Sequence, residues 1–420
     1  MCENTVRYVS FEEVGMKRDI YLFNPGHDLA LANGSPYYYP SQQVRQMEGD
    51  LSLLPLWYAE KGGIVVTEEV NAEMFIAEMS RLLPSFAQQS LSAVLPNGLA
   101  ALMKAQPDEE WRLSPWGWDE AVRTSFRKMG VAETLLPDDD AMTSYRRLSN
   151  RQRAVELLST LRPVDAHLTG ESSYLTDLSS CVDFASRHGD CVFKAPWSGS
   201  GKGLNWKSGN VFSSPFERWC RRQLEMQGGV VAEVMVRKLY DLAAEFFVDD
   251  EGKVSFAGFS SFQTSQSGVY DSNMLVPQNY IDGTPALQLI SSKLIPTLQQ
   301  LLSTMFSSSY RGYLGVDMMV CRGNEEGEVL VHPCVEVNAR TTMGVVARLF
   351  YDRYVSPHAI GTMHTSYYKS VGEALRFHRE MLQSHPLVVV DGRLASGYLS
   401  LTPVNDKTRC NVWAEIRKGS

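Results

Sequence analysis

The stretch Cys191–Trp206, CVFKAPWSGSGKGLNW, runs from a hydrophobic strand carrying one lysine into a loop of serine, glycine and lysine. It looks like a phosphate loop, but spacing excludes the two commonest kinds. A Walker A loop requires glycine, four spacers and then Gly-Lys-Ser/Thr. Here Gly203 follows Gly201-Lys202, so the hydroxyl is missing, and Pro196 stands where the first glycine belongs. The dinucleotide fingerprint fails at its third glycine, where Leu204 stands, although Gly199 and Gly201 are correctly spaced. What remains is a loop rich in backbone N–H donors, with Lys202 inside it and Lys194 on the strand before it. That arrangement suits a polyphosphate covered from above. A hairpin turn with exposed lysines accounts equally well for the stretch taken alone.

Three features further along the chain decide the reading. VVAEVMV (230–236) is a hydrophobic strand with Glu233 in its middle, and GVDMMV (315–320) puts Asp317 inside an apolar strand. CVEVNAR (334–340) puts Glu336 and Asn338 on one face of the next strand, because side chains alternate with period 2, and Arg340 continues that face. A carboxylate inside an apolar strand is costly unless it has a partner. Taken singly, Asp317 and Glu336 are better explained as members of buried ion pairs. As an ordered set with an amide oxygen they form a hard oxygen-ligand group suited to Mg²⁺. Arg340 is then placed to stabilise anionic charge.

The order K…GSGKG…AE…D…EVNAR resembles the ATP-grasp superfamily of carboxylate–amine and carboxylate–thiol ligases, over roughly residues 145–345. The resemblance implies an α/β (α+β) architecture: a Rossmann-like pre-ATP-grasp domain over 1–140, a small lobe with the glycine-rich loop over 141–230, and a large lobe with the metal site over 231–420. It assigns Lys194 to the α/β phosphates, and Gly199, Ser200, Gly201, Lys202 and Gly203 to the loop over them. Glu233 falls on the adenine-binding strand and Asp241 near the ribose-binding acid, about one residue further along than usual. Asp317, Glu336 and Asn338 match metal ligands for Mg²⁺, with Mn²⁺ as the alternative ion. Arg340 and Lys202 take the catalytic positions. Two departures stand out. Arg151 occupies the place of the family's usual lysine and pairs with phosphate as a planar fork, and the last motif reads Asn-Ala-Arg in place of Asn-Pro-Arg.

The activity so implied is an ATP-dependent ligase that forms an acyl phosphate from a small carboxylate, such as an amino acid or peptide. An amine or thiol then attacks it, and ADP and phosphate are released. A phosphotransferase on the same fold, a non-catalytic ATP-binding protein and an unrelated α/β binding module are the competing readings. The resemblance also implies a homodimer.

Composition narrows the class. The chain has 420 residues, 44% hydrophobic and 21% charged, as soluble globular proteins do, and a formal net charge of −8. No basic stripe points to nucleic acid. The apolar runs, such as Leu387–Val390, are too short to span a bilayer, and the first residues lack the apolar core of a secretory signal. Seven scattered cysteines without a CxxC fit reduced thiols in the cytoplasm, and Cys334 reads as a small core residue. The eight histidines show no zinc spacing.

Periodicity predicts strands at 18–23, 62–67, 229–236, 242–249, 253–264, 312–320, 328–339 and 397–404, and helices at 71–83, 118–130, 149–161, 176–189, 285–306 and 370–382. Ser149 or Asn150 is the expected cap of the third helix. VAETLLPDDDAM (131–142) reads as a domain boundary. Weaker signals remain. NPGHDLALANGSPYYYPS (24–41) reads as a loop after the first strand, where His27 and Asp28 are candidate substrate contacts and Tyr37–Tyr39 a wall, although a capped turn fits as well. SPWGWDE (114–120) reads as a packed interdomain loop. The polar run 260–273 reads as a covering or surface loop, and Thr341, Thr342 and Gly344 as backbone contacts to a substrate carboxylate.

Overall fold

The computed structural model describes residues 17–199, 203–209, 212–264, 270–278, 285–306 and 308–419. Its first sheet is parallel and contains β1 (Arg18–Leu22), β2 (Ile64–Val66), β3 (Ser92–Val94) and β4 (Trp111–Pro115) in the order β3-β2-β1-β4. A parallel sheet is covered on both faces, so both sets of alternating side chains are apolar. Ile20, Ile64 and Val66 pack with Leu99 and Phe126 on one side. Tyr21 and Val65 face the other side and join Trp57, Trp116 and residues from the C-terminal strands.

The second sheet is antiparallel, with β5 (Ser172–Leu175), β6 (Cys191–Lys194), β7 (Leu204–Lys207) and β8 (Val230–Val234) in the order β5-β8-β6-β7. Cys191, Phe193, Val230 and Ala232 pack against Phe184 and Phe216 of the helices Leu178–Arg187 and Ser214–Gln227. Period 2 then fixes the opposite face: Lys194 of β6 and Glu233 of β8 must both point away from those helices.

The third sheet has nine antiparallel strands: β9 (Lys238–Val248), β10 (Val254–Thr264), β11 (Tyr270–Leu275), β12 (Gly312–Arg322), β13 (Val329–Asn338), β14 (Ala359–Tyr367), β15 (Val388–Val390), β16 (Arg393–Ser400) and β17 (Cys410–Lys418). Their order is β13-β12-β9-β10-β11-β14-β17-β16-β15. Leu242, Ala244, Phe246, Leu314, Val316 and Met318 are buried with Leu298, Leu302 and Phe306 of the helix Ile295–Phe306. The alternate residues Asp241, Ala243 and Glu245 of β9, and Gly315 and Asp317 of β12, therefore share the other face.

Several local expectations are corrected. Residues 24–41 are not all loop: His27–Asn33 is helical, ended by Gly34 at φ 70°. The segment 131–142, expected as a domain boundary, also carries the start of the helix Asp139–Leu148, where Asp138 accepts from Ala141 N at 2.8 Å and further aspartates fill the first turn. Arg151, not Ser149 or Asn150, precedes the helix Gln152–Leu161. Of the polar run 260–273, residues 260–264 fall on β10 and 270–273 on β11, while 265–269 lie outside the described residues. The helical stretch 285–306 contains a π turn at Ile290–Leu294. Tyr37 and Tyr39 are exposed, and Tyr39 stacks under Arg45. SPWGWDE is packed as expected, and Trp116 O accepts from Thr341 N at 3.0 Å. No helix among the described residues is long and apolar enough to cross a membrane.

Candidate functional site

The side chains that period 2 turns away from the cores of the second and third sheets gather near one another. Lys194 Nζ donates to Glu233 Oε2 at 2.9 Å, and both residues are buried. β8 lies between β5 and β6, with Glu233 in register with Ser172 and Val192, so its backbone is enclosed on both sides. Arg151 is also buried. Its guanidinium donates to Ala195 O at 2.7 Å, to Ser198 O at 2.8 Å and to Ser198 Oγ, and it pairs with Glu336 Oε1 at 2.8 Å. One planar fork thus ties the start of the glycine-rich segment to β13. Ser200, Gly201 and Lys202 lie outside the described residues.

Strand register assembles the acidic group. Asp317 stands opposite Glu336, and Gly315 opposite Asn338, on β12 and β13. Asn338 Nδ2 donates to Asp317 Oδ2 at 3.2 Å. Burial holds the Asp317 carboxyl well above the usual carboxylate range, and the Glu336 and Glu245 charges add to this. Among the described residues no three His, Cys, Asp or Glu side chains cluster as a metal site. The donors here are two carboxylates and an amide. This all-oxygen set suits Mg²⁺, which is commonly held by one or two carboxylates and completed by substrate phosphates and water.

Arg340 leaves the end of β13 and reaches the first sheet. Its Nε and Nη2 donate to Asp28 Oδ1 and Oδ2 at 3.3 and 3.1 Å, and its Nη1 to Thr341 O at 3.2 Å. Burial alone would raise the Asp28 carboxyl, but Arg340, with His27 and Arg151, holds Asp28 below its ordinary value. Asp28 also abuts the glycine-rich segment, since a Cβ at Gly199 would overlap its Oδ2. The neighbouring His27 turns inward: it is buried over Gly117, with Nδ1 3.5 Å from Asp119 Oδ2. Asp241 is buried, and its carboxylate takes Lys238 Nζ at 2.5 Å and Thr264 Oγ1 at 3.1 Å.

Sequence reasoning missed Glu245. It lies on β9 opposite Gly315 and is 1% exposed, accepting from Ser260 Oγ at 2.8 Å and Thr342 Oγ1 at 3.1 Å. A Cβ at Gly315 would come within 2.7 Å of Glu245 Oε2, and one at Gly344 would overlap Oε1. Burial pushes the carboxyl up to about 7, against the pull of its two hydroxyl donors. Its carboxylate thus occupies the start of the helix Met343–Tyr354, where Thr342 and Gly344 were expected to meet a substrate carboxylate. The signal that picked out Asp317, an acid within an apolar strand, is equally present in LAAEFFV.

No family model matches the chain, and no curated protein matches it. Solved structures do. Biotin carboxylase from Campylobacter jejuni, in a beta-gamma-ATP complex, superposes with TM-score 0.51 at 10% identity, covering 96% of this chain and 88% of that one. N5-carboxyaminoimidazole synthetase from Staphylococcus aureus, complexed with ADP, gives TM-score 0.47 at 8% identity over 96% and 94%. N5-carboxyaminoimidazole ribonucleotide synthetase from Thermus thermophilus gives 0.47 at 12% identity over 95% and 94%. At such identities the likeness is one of fold, and the biotin carboxylase superposition carries it. The chain has the ATP-grasp fold over nearly its whole length.

Proposed function

We propose that this protein is an ATP-dependent ligase that activates a small carboxylate as an acyl phosphate and passes it to an amine or thiol, releasing ADP and phosphate. The observation that carries the reading is the register of Asp317 against Glu336 and of Gly315 against Asn338, facing Arg151 and Lys194 across the cleft. The shared fold with a nucleotide-complexed carboxylase supports the ATP half of the reading.

In this scheme Lys194 and Arg151 hold phosphate oxygens, joined by Gly199, Ser200, Gly201, Lys202 and Gly203. Glu233 fixes the Lys194 ammonium, and Asp241 faces the ribose. Asp317, Glu336 and Asn338 would hold Mg²⁺, which supplies charge neutralisation for phosphoryl transfer when bound. Arg340 stabilises negative charge on the transferred group. The substrate carboxylate attacks the γ-phosphorus, the bond to the β-bridging oxygen breaks, and ADP leaves. The nucleophile then attacks the acyl carbon and phosphate departs. Positioning and electrostatics provide the acceleration, and no protein nucleophile is needed.

The test is ADP and phosphate release from Mg-ATP with pools of amino acids and small carboxylates, with Glu336→Ala as control. Both products appearing only with particular substrate pairs, and vanishing in the variant, support the ligase. ADP with the phosphate retained on a product identifies a phosphotransferase. Absence of turnover with every pool refutes catalysis on these substrates.

A further inference from the structure

Arg340 is held by groups that the proposed reaction does not itself require. All three of its guanidinium nitrogens are engaged: Nε and Nη2 by the two oxygens of Asp28, Nη1 by Thr341 O. A fork gripped on two edges has one orientation, whereas an arginine on its flexible stem samples many. The grip comes from far along the chain. Asp28 stands in the first turn of the helix that follows β1, 312 residues before Arg340. The same carboxylate touches a third element, because Gly199 lies so close to Asp28 Oδ2 that any side chain there would overlap it. A single carboxylate of the helix that follows β1 therefore spaces the first glycine of the loop segment from the arginine at the end of β13. Neither partner is fully exposed: the side chains of Arg340 and Asp28 are 16% and 21% accessible.

We propose that Asp28 is a positioning residue of the active site, which orients the Arg340 fork toward the anion bound between Gly199 and β13. The helix that follows β1 then supplies part of the reaction centre. The inference rests on the ligase reading for Arg340's role, but the geometry bears on any anion held there. Asp28 acts through Arg340, so removing either should cost the same interaction once. Misplacing a catalytic group by about 1 Å can cost on the order of 100-fold in rate.

The experiment is a double-mutant cycle with Asp28→Asn, Arg340→Gln and the combined variant. It is read both on ADP release and on the calorimetric Kd for a non-hydrolysable Mg-ATP analogue. Asparagine is isosteric, so the tight contact with Gly199 is kept, and thermal unfolding of each variant reports on folding. Asp28→Asn is expected to lower kcat on the order of 10- to 100-fold, with KM for ATP moving less than about threefold. The combined variant is expected to match Arg340→Gln within about twofold in turnover and in Kd, because residues acting as one unit are not additive. Losses that multiply in the combined variant overturn the proposal and make Asp28 an independent substrate contact. Wild-type turnover and Kd in Asp28→Asn overturn it as well. Coupling in Kd without turnover in the wild type sinks the ligase reading and leaves the positioning role standing.

Discussion

Glu245→Gln should stabilise this protein above neutral pH and leave it nearly unchanged in mild acid. The Glu245 carboxyl is 1% exposed, and its donors are only the hydroxyls of Ser260 and Thr342. Burial raises it from 4.5 to about 7. The folded chain then holds this proton more tightly than the unfolded chain does. The stability it contributes is complete below pH 4.5 and is lost as pH rises through about 7. At about 1.4 kcal/mol per pH unit of difference, the loss at pH 8 is about 3 kcal/mol. Glutamine keeps the shape and both hydroxyl partners without ionising. It also relieves Asp317, whose carboxyl is raised in part by the Glu245 charge. The assay is thermal and urea unfolding of both proteins at pH 5 and pH 8, in buffer with a chelator so that metal binding does not enter the balance. The variant should unfold later than the wild type at pH 8, with the gap closing at pH 5. An equal gap at both pH values, or a larger one at pH 5, would refute the reasoning and mean that Glu245 stays ionised in the fold.

Three further outcomes follow from named contacts. Lys194→Met leaves Glu233 buried without its 2.9 Å partner and should cost about 3–5 kcal/mol in denaturant unfolding, whereas Lys194→Met with Glu233→Leu should recover most of that loss without restoring ATP-analogue binding by calorimetry. Arg151→Lys keeps the charge but cannot reach Ala195 O, Ser198 and Glu336 together, so the analogue's Kd should rise about tenfold, a loss of one charge-assisted hydrogen bond. Gly344→Ala puts a Cβ into Glu245 and Ser260 and should cost about 1–3 kcal/mol by urea unfolding, with the cost falling by more than half in a Glu245→Ala background.

What the sequence made legible follows period and parity. Apolar strands with one acid, read at period 2, put Glu336 and Asn338 on one face, and the observed register sets them opposite Asp317 and Gly315. Lys194 and Glu233 meet for the same reason, since their neighbours fill the small-lobe core. Contacts between distant segments left no such trace. No local pattern ties Asp28 to Arg340, and Ser198 gave no sign that it would receive the Arg151 fork. The helix His27–Asn33 was hidden because it is short and opens straight out of the Asn24-Pro25-Gly26 turn. β10 matches the strand expected at 253–264, whereas β11 was hidden because the polar run around it suggests a loop, yet Ser272 and Asn273 are buried in the sheet. Glu245 carries the same signal as Asp317, an acid inside the apolar strand segment LAAEFFV.

The arrangement of charge is hard to explain as a device for stability. Lys194–Glu233 and Arg151–Glu336 each bring a buried cation and a carboxylate together in the cleft, with Arg340–Asp28 beside them. Taking such ions out of water costs several kcal/mol each, and well-packed apolar residues of the same volume are often as stabilising or more so. Asp317 and Glu245 add two further carboxyls that burial drives toward the protonated form. A fold selected for stability alone has no use for this much desolvated charge gathered from two sheets and two helix starts. A polyanion with its divalent cation does: it can draw the Arg151 fork onto phosphate oxygens while the cation takes up the Glu336 carboxylate that the fork releases. The double substitution at Lys194 and Glu233 separates these demands. If it abolishes nucleotide binding in a protein as stable as the wild type, the pair serves the ligand; if binding survives, the pair is a packing feature and the phosphate contacts lie elsewhere.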